Sequence, residues 1–321
     1  MAPMVSVIVP NFNHAPFLAQ RLDSVLGQTV GDDIEVLVLD DASTDASRSV
    51  LADYAGDSRV SITFNDQNSG SPFKQWNRGL RLATGRYVWI AESDDYADPT
   101  LLERLVGLLE ERPNIGLAYC QSWSVDETGD VVGSNEAYTH DLSCRWLADH
   151  ENVGRDECRR WLCIKNTIPN ASAVVLRREV LEKTGLADAS MRLCGDWDLW
   201  ARVLLHSDVG FIAEPLNYFR THSRATRSST YDNGIYLDEA MRVQHRVVSA
   251  VGLDPSTKSV ICRNLLDFWL DVTTREPPAV PWKRRLSILR SAARIDRNLA
   301  VRMGVRSAVQ PLRRVMRRRA G

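Results

Sequence analysis

The sequence predicts an α/β fold: a mostly parallel central sheet flanked by helices, followed by a helical C-terminal extension. Three observations predict it. First, the short runs Val5–Pro10, Ile34–Leu39 and Tyr87–Ala91 are apolar and bounded by turn residues, as buried strands are. Second, each run opens onto a polar or acidic cluster: Asn11-Phe12-Asn13, Asp40-Asp41-Ala42-Ser43-Thr44-Asp45 and Glu92-Ser93-Asp94-Asp95. Third, helical stretches separate the runs, so the strands wind as parallel β-α-β units. In open sheets of this kind, ligands bind beyond the carboxyl ends of the strands. Carboxylates gathered there repel one another unless a cation or a polyol satisfies them. A metal-bound, phosphate-bearing ligand would do both.

The elements follow in order. Ala15–Gln28 places Phe17, Leu18, Leu22, Val25 and Leu26 on one helical face. Ser43 or Thr44 can cap a helix over Asp45–Tyr54. Arg59–Phe64 reads as a third strand, and Ser71–Ala83 as a helix with Pro72 in its first turn and Gly85 after its end. Asp98-Pro99 starts a helix running to about Glu111. Ile115–Gln121 is a fifth strand, and Val125–Val131 carries a hairpin-turn pattern. Residues 139–167, rich in Trp, Cys and charge, are expected to be helical in part. Ser172–Leu176 is a strand, Arg178–Thr184 a helix stopped by Gly185, and Asp196–Leu205 a helix. Val209–Phe219 is strand structure leading to Arg220-Thr221-His222. The pattern is helical from Tyr231, with a break marked by Pro277-Pro278 and Pro281.

Composition is that of an ordinary globular chain: 321 residues, 44% hydrophobic and 25% charged. No apolar run approaches the roughly 20 residues that span a bilayer. The N-terminus enters a strand without a basic leader, so no secretion signal is expected. The six cysteines lack CxxC spacing, which suggests reduced thiols and a cytoplasmic setting. The net charge of −1 hides an asymmetry, because residues 281–321 carry about a dozen net positive charges with Asp296 their only acid. Such a tail either packs as a solvated helix or lies peripherally on the inner face of an anionic membrane. It has no aromatic interleaving and no accompanying nucleic-acid motif, so no nucleic-acid partner is expected.

Five motifs stand in order: Ser6–Asn13 (SVIVPNFN), Asp40–Asp45 (DDASTD), Asn68-Ser69-Gly70 with Trp76–Leu80 (WNRGL), Glu92–Asp95 (ESDD), and Gly195–Trp200 (GDWDLW). Together they resemble the family 2 glycosyltransferases, over roughly residues 4–225. The resemblance implies a GT-A fold, a nucleotide-sugar donor carrying UDP or dTDP, a divalent metal (Mn²⁺ or Mg²⁺) and inversion at the anomeric carbon. It divides the chain into a glycosyltransferase domain over 1–225, with a nucleotide-sugar half to 120 and an acceptor-side half from 121, and an extension over 226–321. The implied acceptor is a hydroxyl of a glycan, a lipid-linked intermediate or a small molecule.

The residues take roles on that basis. Pro10, Asn11, Phe12 and Asn13 would wall the base, with Phe12 stacking where the family usually has tyrosine. Asp40 can accept hydrogen bonds from base or ribose, although an Asp there can also cap a helix. Glu92-x-Asp94-Asp95 resembles a DxD element with Glu in place of the first acid. Asp94 is expected at the ribose or metal and Asp95 at the metal. Lys74 neutralises the diphosphate or is an exposed lysine. Asp196 is the expected general base for the acceptor hydroxyl, in a motif whose preceding residue is Gly195 where the family usually has an acid. His222 is a third metal ligand or merely structural. Asn170, Ser172 and Trp197 are candidates for sugar or acceptor contact, Trp197 being more readily a core residue than a sugar platform.

Rival readings fit less well. A dinucleotide-binding fold needs a glycine-rich turn after strand one, and Pro10–His14 contains no glycine. A receiver-like phosphate switch leaves Asp196 unexplained. A non-catalytic nucleotide-sugar-binding protein is the remaining alternative, and it would tolerate loss of Asp95 or Asp196.

Overall fold

The computed structural model describes residues 3–222, 233–274 and 280–306. These fall into two compact units, one from 1–157 with 167–222 and one from 158–166 with 223–321. The expected boundary at 225, the helix start at Tyr231, the Pro277-Pro278 break and the tail beyond 306 lie outside the described residues.

The larger unit is organised by β1 (Val5–Asn11) and β2 (Ile34–Asp40). All seven residues of β1 are buried, as expected of a strand covered on both faces. β3 (Val60–Phe64), β2, β1 and β4 (Tyr87–Ile90) lie side by side in parallel. The register sets Val5 beside both Ile34 and Tyr87, so the three polar clusters emerge at one edge of the sheet. Next comes β9 (Val174–Arg177), antiparallel to β4 and to β6 (Ile115–Val125). β10 (Asp208–Arg220) then runs parallel to β6. Short strands complete the edge: β5 (Tyr96–Ala97) and β8 (His150–Asn152) pair antiparallel with β10, and β7 (Val131–Ser134) returns along β6 in the expected hairpin.

Helices cover the sheet as the periodicities predict. α1 (Ala15–Leu26) buries Phe17, Leu18, Leu22 and Val25, and also Arg21. α2 (Ser47–Ala52) is shorter than expected. Neither Ser43 nor Thr44 caps it; Asp45 accepts the Ser47 N–H instead, at 2.9 Å. α3 (Pro72–Leu82) approaches β1 closely because a Cβ on Gly79 would stand 2.4 Å from Ile8 Cγ2. α4 (Leu101–Glu111) sends Leu101, Leu102, Leu105 and Leu109 into the core shared with Val5, Val36 and Trp89. Residues 136–157 form short turns, α5 (Glu136–Thr139) and α6 (Gly154–Glu157), around β8. α7 (Arg178–Thr184) follows β9, and α8 (Gly195–Leu204) precedes β10. The six cysteines are thiols, five buried and Cys144 exposed.

The smaller unit is helical. It contains α9 (Ile235–Val251), α10 (Pro255–Thr274), α11 (Trp282–Ile295) and a helical segment over 297–306. Gln244 on α9 donates to the carbonyls of Cys163 and Ile164 at 3.1 Å, tying the 158–166 turn to the helices. Among the described residues, no helix is long and apolar enough to cross a membrane.

Candidate active site

Two interlocked loops build the first wall. Asn11 stands opposite Asp40 in the β1–β2 register. The fully buried Asp40 carboxylate accepts from Asn11 Nδ2 at 2.7 Å and from the Ser43 N–H at 2.9 Å. Asn13 Oδ1 accepts the Thr44 N–H at 2.7 Å, while the Asn13 N–H donates to Ser43 Oγ at 2.9 Å. Asn13 and Ala42 both adopt left-handed backbone, with φ of 57° and 61°. Such strain, on the order of 1 kcal/mol or more per residue, persists where surrounding bonds over-determine the chain. Pro10 and Asn11 are buried, and Phe12 is 40% exposed. Phe12 is therefore available for stacking. The Asp40 carboxylate ties Asn11 and Ser43 together at the base of this wall.

The turn after β4 forms the second wall. Glu92 accepts the Trp76 indole N–H at 2.7 Å. Burial, reinforced by Asp94, pushes its carboxyl up to about 8. Beneath the turn lies Arg21, fully buried, donating Nε–H to the Glu92 carbonyl at 2.8 Å. Burial lowers its guanidinium to about 10 against the raising pull of Asp95, Asp94 and Glu92, so it stays charged at neutral pH. Asp95 points toward it, 4.0 Å from Nη2. The same carboxylate accepts the Arg220 N–H at 2.9 Å and bonds the Ser172 hydroxyl. Burial and the neighbouring Asp94 raise the Asp95 carboxyl. Asp95 is thus held by the Arg220 N–H and the Ser172 hydroxyl. Ser172 is fully buried and also accepts the Glu92 N–H at 3.0 Å, which fixes the turn.

Asp94 faces the other way. Pairing of β5 with the end of β10 brings residue 94 beside residue 222. His222 Nε2 lies 3.0 Å from Asp94 Oδ2. Burial would raise the Asp94 carboxyl, but the His222 bond and the charges of His14 and His222 hold it below its ordinary value. His222 Nδ1 is buried with no protein hydrogen-bond partner, so that nitrogen is not tied to a structural bond. His14 follows Asn13, its Nδ1 2.8 Å from Ser93 Oγ and its ring edge-on to His222 at 5.4 Å. Ligand atoms of His14, Asp94 and His222 all lie within 4.8 Å of one another. Carboxylate oxygen and imidazole nitrogen are donors that divalent ions accept, so this set fits a cation. His14 carries no motif, and the sequence reading passed over it.

α3 and α8 pack against each other through Phe73 and Gly195. Lys74 donates Nζ–H to the Ser69 carbonyl at 2.9 Å and is otherwise exposed. Asp41, also passed over, gathers Asn65, Ser69 and Gln75 around one buried carboxylate at 2.6–2.9 Å. A Cβ on Gly195 would meet the Phe73 ring at 2.6 Å. Glycine there lets the first turn of α8 lie against Phe73 of α3, the helix whose Trp76 bonds Glu92. Asp196, partly exposed, sits in that first turn. Asp198 is buried and pairs with Arg202 at 2.9 Å. Trp197 is 1% exposed, with no face left to stack on a sugar, and belongs to the core. Asn170 lies apart, capping the Ser172 N–H at 2.9 Å and lining a small cavity with Tyr119, Tyr138 and Trp146.

The profile of glycosyl transferase family 2 matches residues 6–185. The chain belongs to this family. It is 30% identical over 230 residues to an uncharacterised glycosyltransferase of Nostoc sp., covering 68% of this chain and 65% of that one. A Bacillus subtilis relative provisionally named for teichuronic acid biosynthesis, TuaG, is 28% identical over 72% of this chain and 82% of its own. The chain therefore spans less than two thirds of the Nostoc protein's length. Among solved structures, Staphylococcus aureus TarS 1–349 with UDP-GlcNAc aligns with a TM-score of 0.70 at 18% identity, covering 93% of this chain and 83% of that one. The mannosyltransferase PcManGT of Pyrobaculum calidifontis, with GDP-Man and Mn²⁺, aligns at 0.56 and 18% identity, covering 97% and 81%. The fold of this family 2 member is accordingly of the GT-A kind, with added C-terminal helices.

Proposed function

We propose that the protein transfers a hexose-like sugar from a UDP- or dTDP-sugar to an acceptor hydroxyl, inverting the anomeric carbon, in surface-glycan or glycoconjugate synthesis. The observation that carries this reading is the approach of Asp94 and His222 to 3.0 Å at the edge where the Asn11–Asp40 loop emerges. The base stacks on Phe12 against Pro10, Asn11 and Asn13, a wall that Asp40 holds from behind. Lys74 swings from the Ser69 carbonyl to the diphosphate. A divalent cation, Mn²⁺ or Mg²⁺, held by Asp94 and His222, would offset the charge of the leaving diphosphate.

Asp196 takes the proton of the acceptor hydroxyl. As the new bond from that oxygen to the anomeric carbon forms, the bond from the carbon to the diphosphate breaks. The diphosphate leaves with the electron pair. The names of TarS with UDP-GlcNAc and of TuaG support a nucleotide-sugar donor and a glycan or lipid-linked acceptor. The exposed Trp282 and Leu286, among Lys283, Arg284 and Arg290, support a peripheral seat of the 281–321 segment on an anionic membrane face.

A thermal-shift panel of nucleotide sugars, with and without Mn²⁺, tests the donor. One sugar nucleotide should raise the unfolding temperature above the rest, as linkage requires. Slow release of that sugar to water, with inverted anomeric configuration, should follow. A protein that binds the donor and never cleaves it is instead a binding module.

A further inference from the structure

We propose that His14 is a cation ligand, so that the site holds its ion with two imidazoles and one carboxylate and prefers transition ions over Mg²⁺. The proposal rests on the reading of Asp94 and His222 as a cation site and adds to it the third group and the selectivity.

The geometry brings three donors to one point. Two donors each about 2.1 Å from an ion stand about 3 Å apart when adjacent and about 4.2 Å apart when opposite. The Asp94–His222 separation of 3.0 Å matches the adjacent case, and side-chain adjustment would bring the whole set, within 4.8 Å, to that spacing. Backbone fixes where His14 can reach. Asn13, in left-handed conformation and bonded through Oδ1 to Thr44, turns the chain so that residue 14 stands beside the 92–95 turn. Ser93 Oγ then holds Nδ1 at 2.8 Å. That bond orients the ring whose ligand atom lies within 4.8 Å of those of Asp94 and His222. A hydroxyl or carbonyl on the far nitrogen is the usual support of a ligating imidazole.

The selectivity follows from the donors. Mg²⁺ is hard, takes oxygen ligands and parts reluctantly with water, so two imidazoles are poor company for it. Later transition ions bind imidazole well, and two histidines with one carboxylate form the facial set that holds Fe²⁺ elsewhere. Asp95 would have made the site an oxygen-only pair with Asp94. Asp95 is instead bonded to Arg220 and Ser172, and His14 adds nitrogen beside Asp94 and His222.

The test uses the full chain stripped of metal by chelation, loaded with Mn²⁺, and read by electron spin-echo modulation, which reports directly bound imidazole nitrogens. Wild type should show two nitrogens and His14→Gln one. In calorimetry, His14→Gln should lose at least about tenfold in Co²⁺ and Mn²⁺ affinity and change little toward Mg²⁺, a ligand counting for no less than the supporting contacts that cost 10–100-fold. Circular dichroism monitors folding, and the wild-type spectrum decides even where the variant misfolds. One nitrogen in wild type, or equal affinities with and without His14, overturns the His14 assignment while leaving Asp94 and His222 in place. Mn²⁺ binding that is absent in wild type, or unchanged in Asp94→Asn, removes the underlying cation site as well.

Discussion

Arg21 lies 4.0 Å from Asp95, with the two side chains 0% and 2% exposed. A permanent positive charge is thus sealed beneath a turn that carries Glu92, Asp94 and Asp95. The arrangement lets the acidic strand end exist without any ligand. Removing one partner of a buried pair typically costs about 3–5 kcal/mol, because it leaves the other charge uncompensated. Arg21→Met should therefore lower unfolding stability by an amount of that order in urea titrations. Arg21→Met with Asp95→Asn should recover part of the loss. Equal stability of Arg21→Met and wild type would show that the pair contributes nothing.

Asp196→Asn keeps shape and helix position but cannot accept a proton. If Asp196 is the base, turnover should fall roughly 10²–10⁴-fold, the usual worth of general-base catalysis. Donor affinity, measured by calorimetry, should stay within a few-fold of wild type. Wild-type turnover in this variant takes Asp196 out of the base role.

Glu35 offers a pH-dependent contribution away from the site. Burial would raise its carboxyl, but hydrogen bonds from Ser6 Oγ, from Thr84 N–H and Oγ–H, and from the Gly85 backbone outweigh burial and lower it. A carboxyl lower in the folded state stabilises above its unfolded value, about 4.3, and loses that stabilisation as pH falls through the folded value. The stability difference between wild type and Glu35→Gln should be flat from pH 7 to about 5 and shrink below about 4. Urea midpoints across that range measure it. A difference that does not change with pH would mean Glu35 titrates alike in both states.

Ala42 sits at φ 61°, where an L-residue costs about 1–2 kcal/mol. Ala42→Gly relieves this and loses some of the gain to unfolded-state entropy, for a net rise of about 0.5–1 kcal/mol. Ala42→Val, branched at Cβ, should fall below wild type by more than 1 kcal/mol, on the same αL cost. Thermal melts should rank Gly above Ala above Val. Val matching Ala would place the strain elsewhere.

The parallel sheet was legible because its strands are nearly continuous apolar runs, and α1 was legible through Phe17, Leu18, Leu22 and Val25. Arg21 was not, because the groups that permit its burial, Glu92 and Asp95, are about 70 residues away in sequence. The strand-end motifs marked the site, but not which acid faces which way. Asp94 and Asp95 lead into the two-residue strand β5, where successive side chains take opposite sides, and nothing local in the sequence announces so short a strand. His14 was missed for the same reason: its partners Ser93, Asp94 and His222 come together only through the β5–β10 pairing.

β9 has a consequence for biosynthesis. It fills the gap between β4 and β6, yet its residues, 174–177, are made more than fifty residues after β6 begins. Until the ribosome has delivered them, the emerging N-terminal half presents β4 with an open flank, the sort of unpaired strand edge that invites misassembly. The wall of loops after β1, β2 and β4 therefore stands on a sheet that lacks one flank until then. It must wait, collapsed but incomplete, for a strand from the other half of the chain to arrive and seal it.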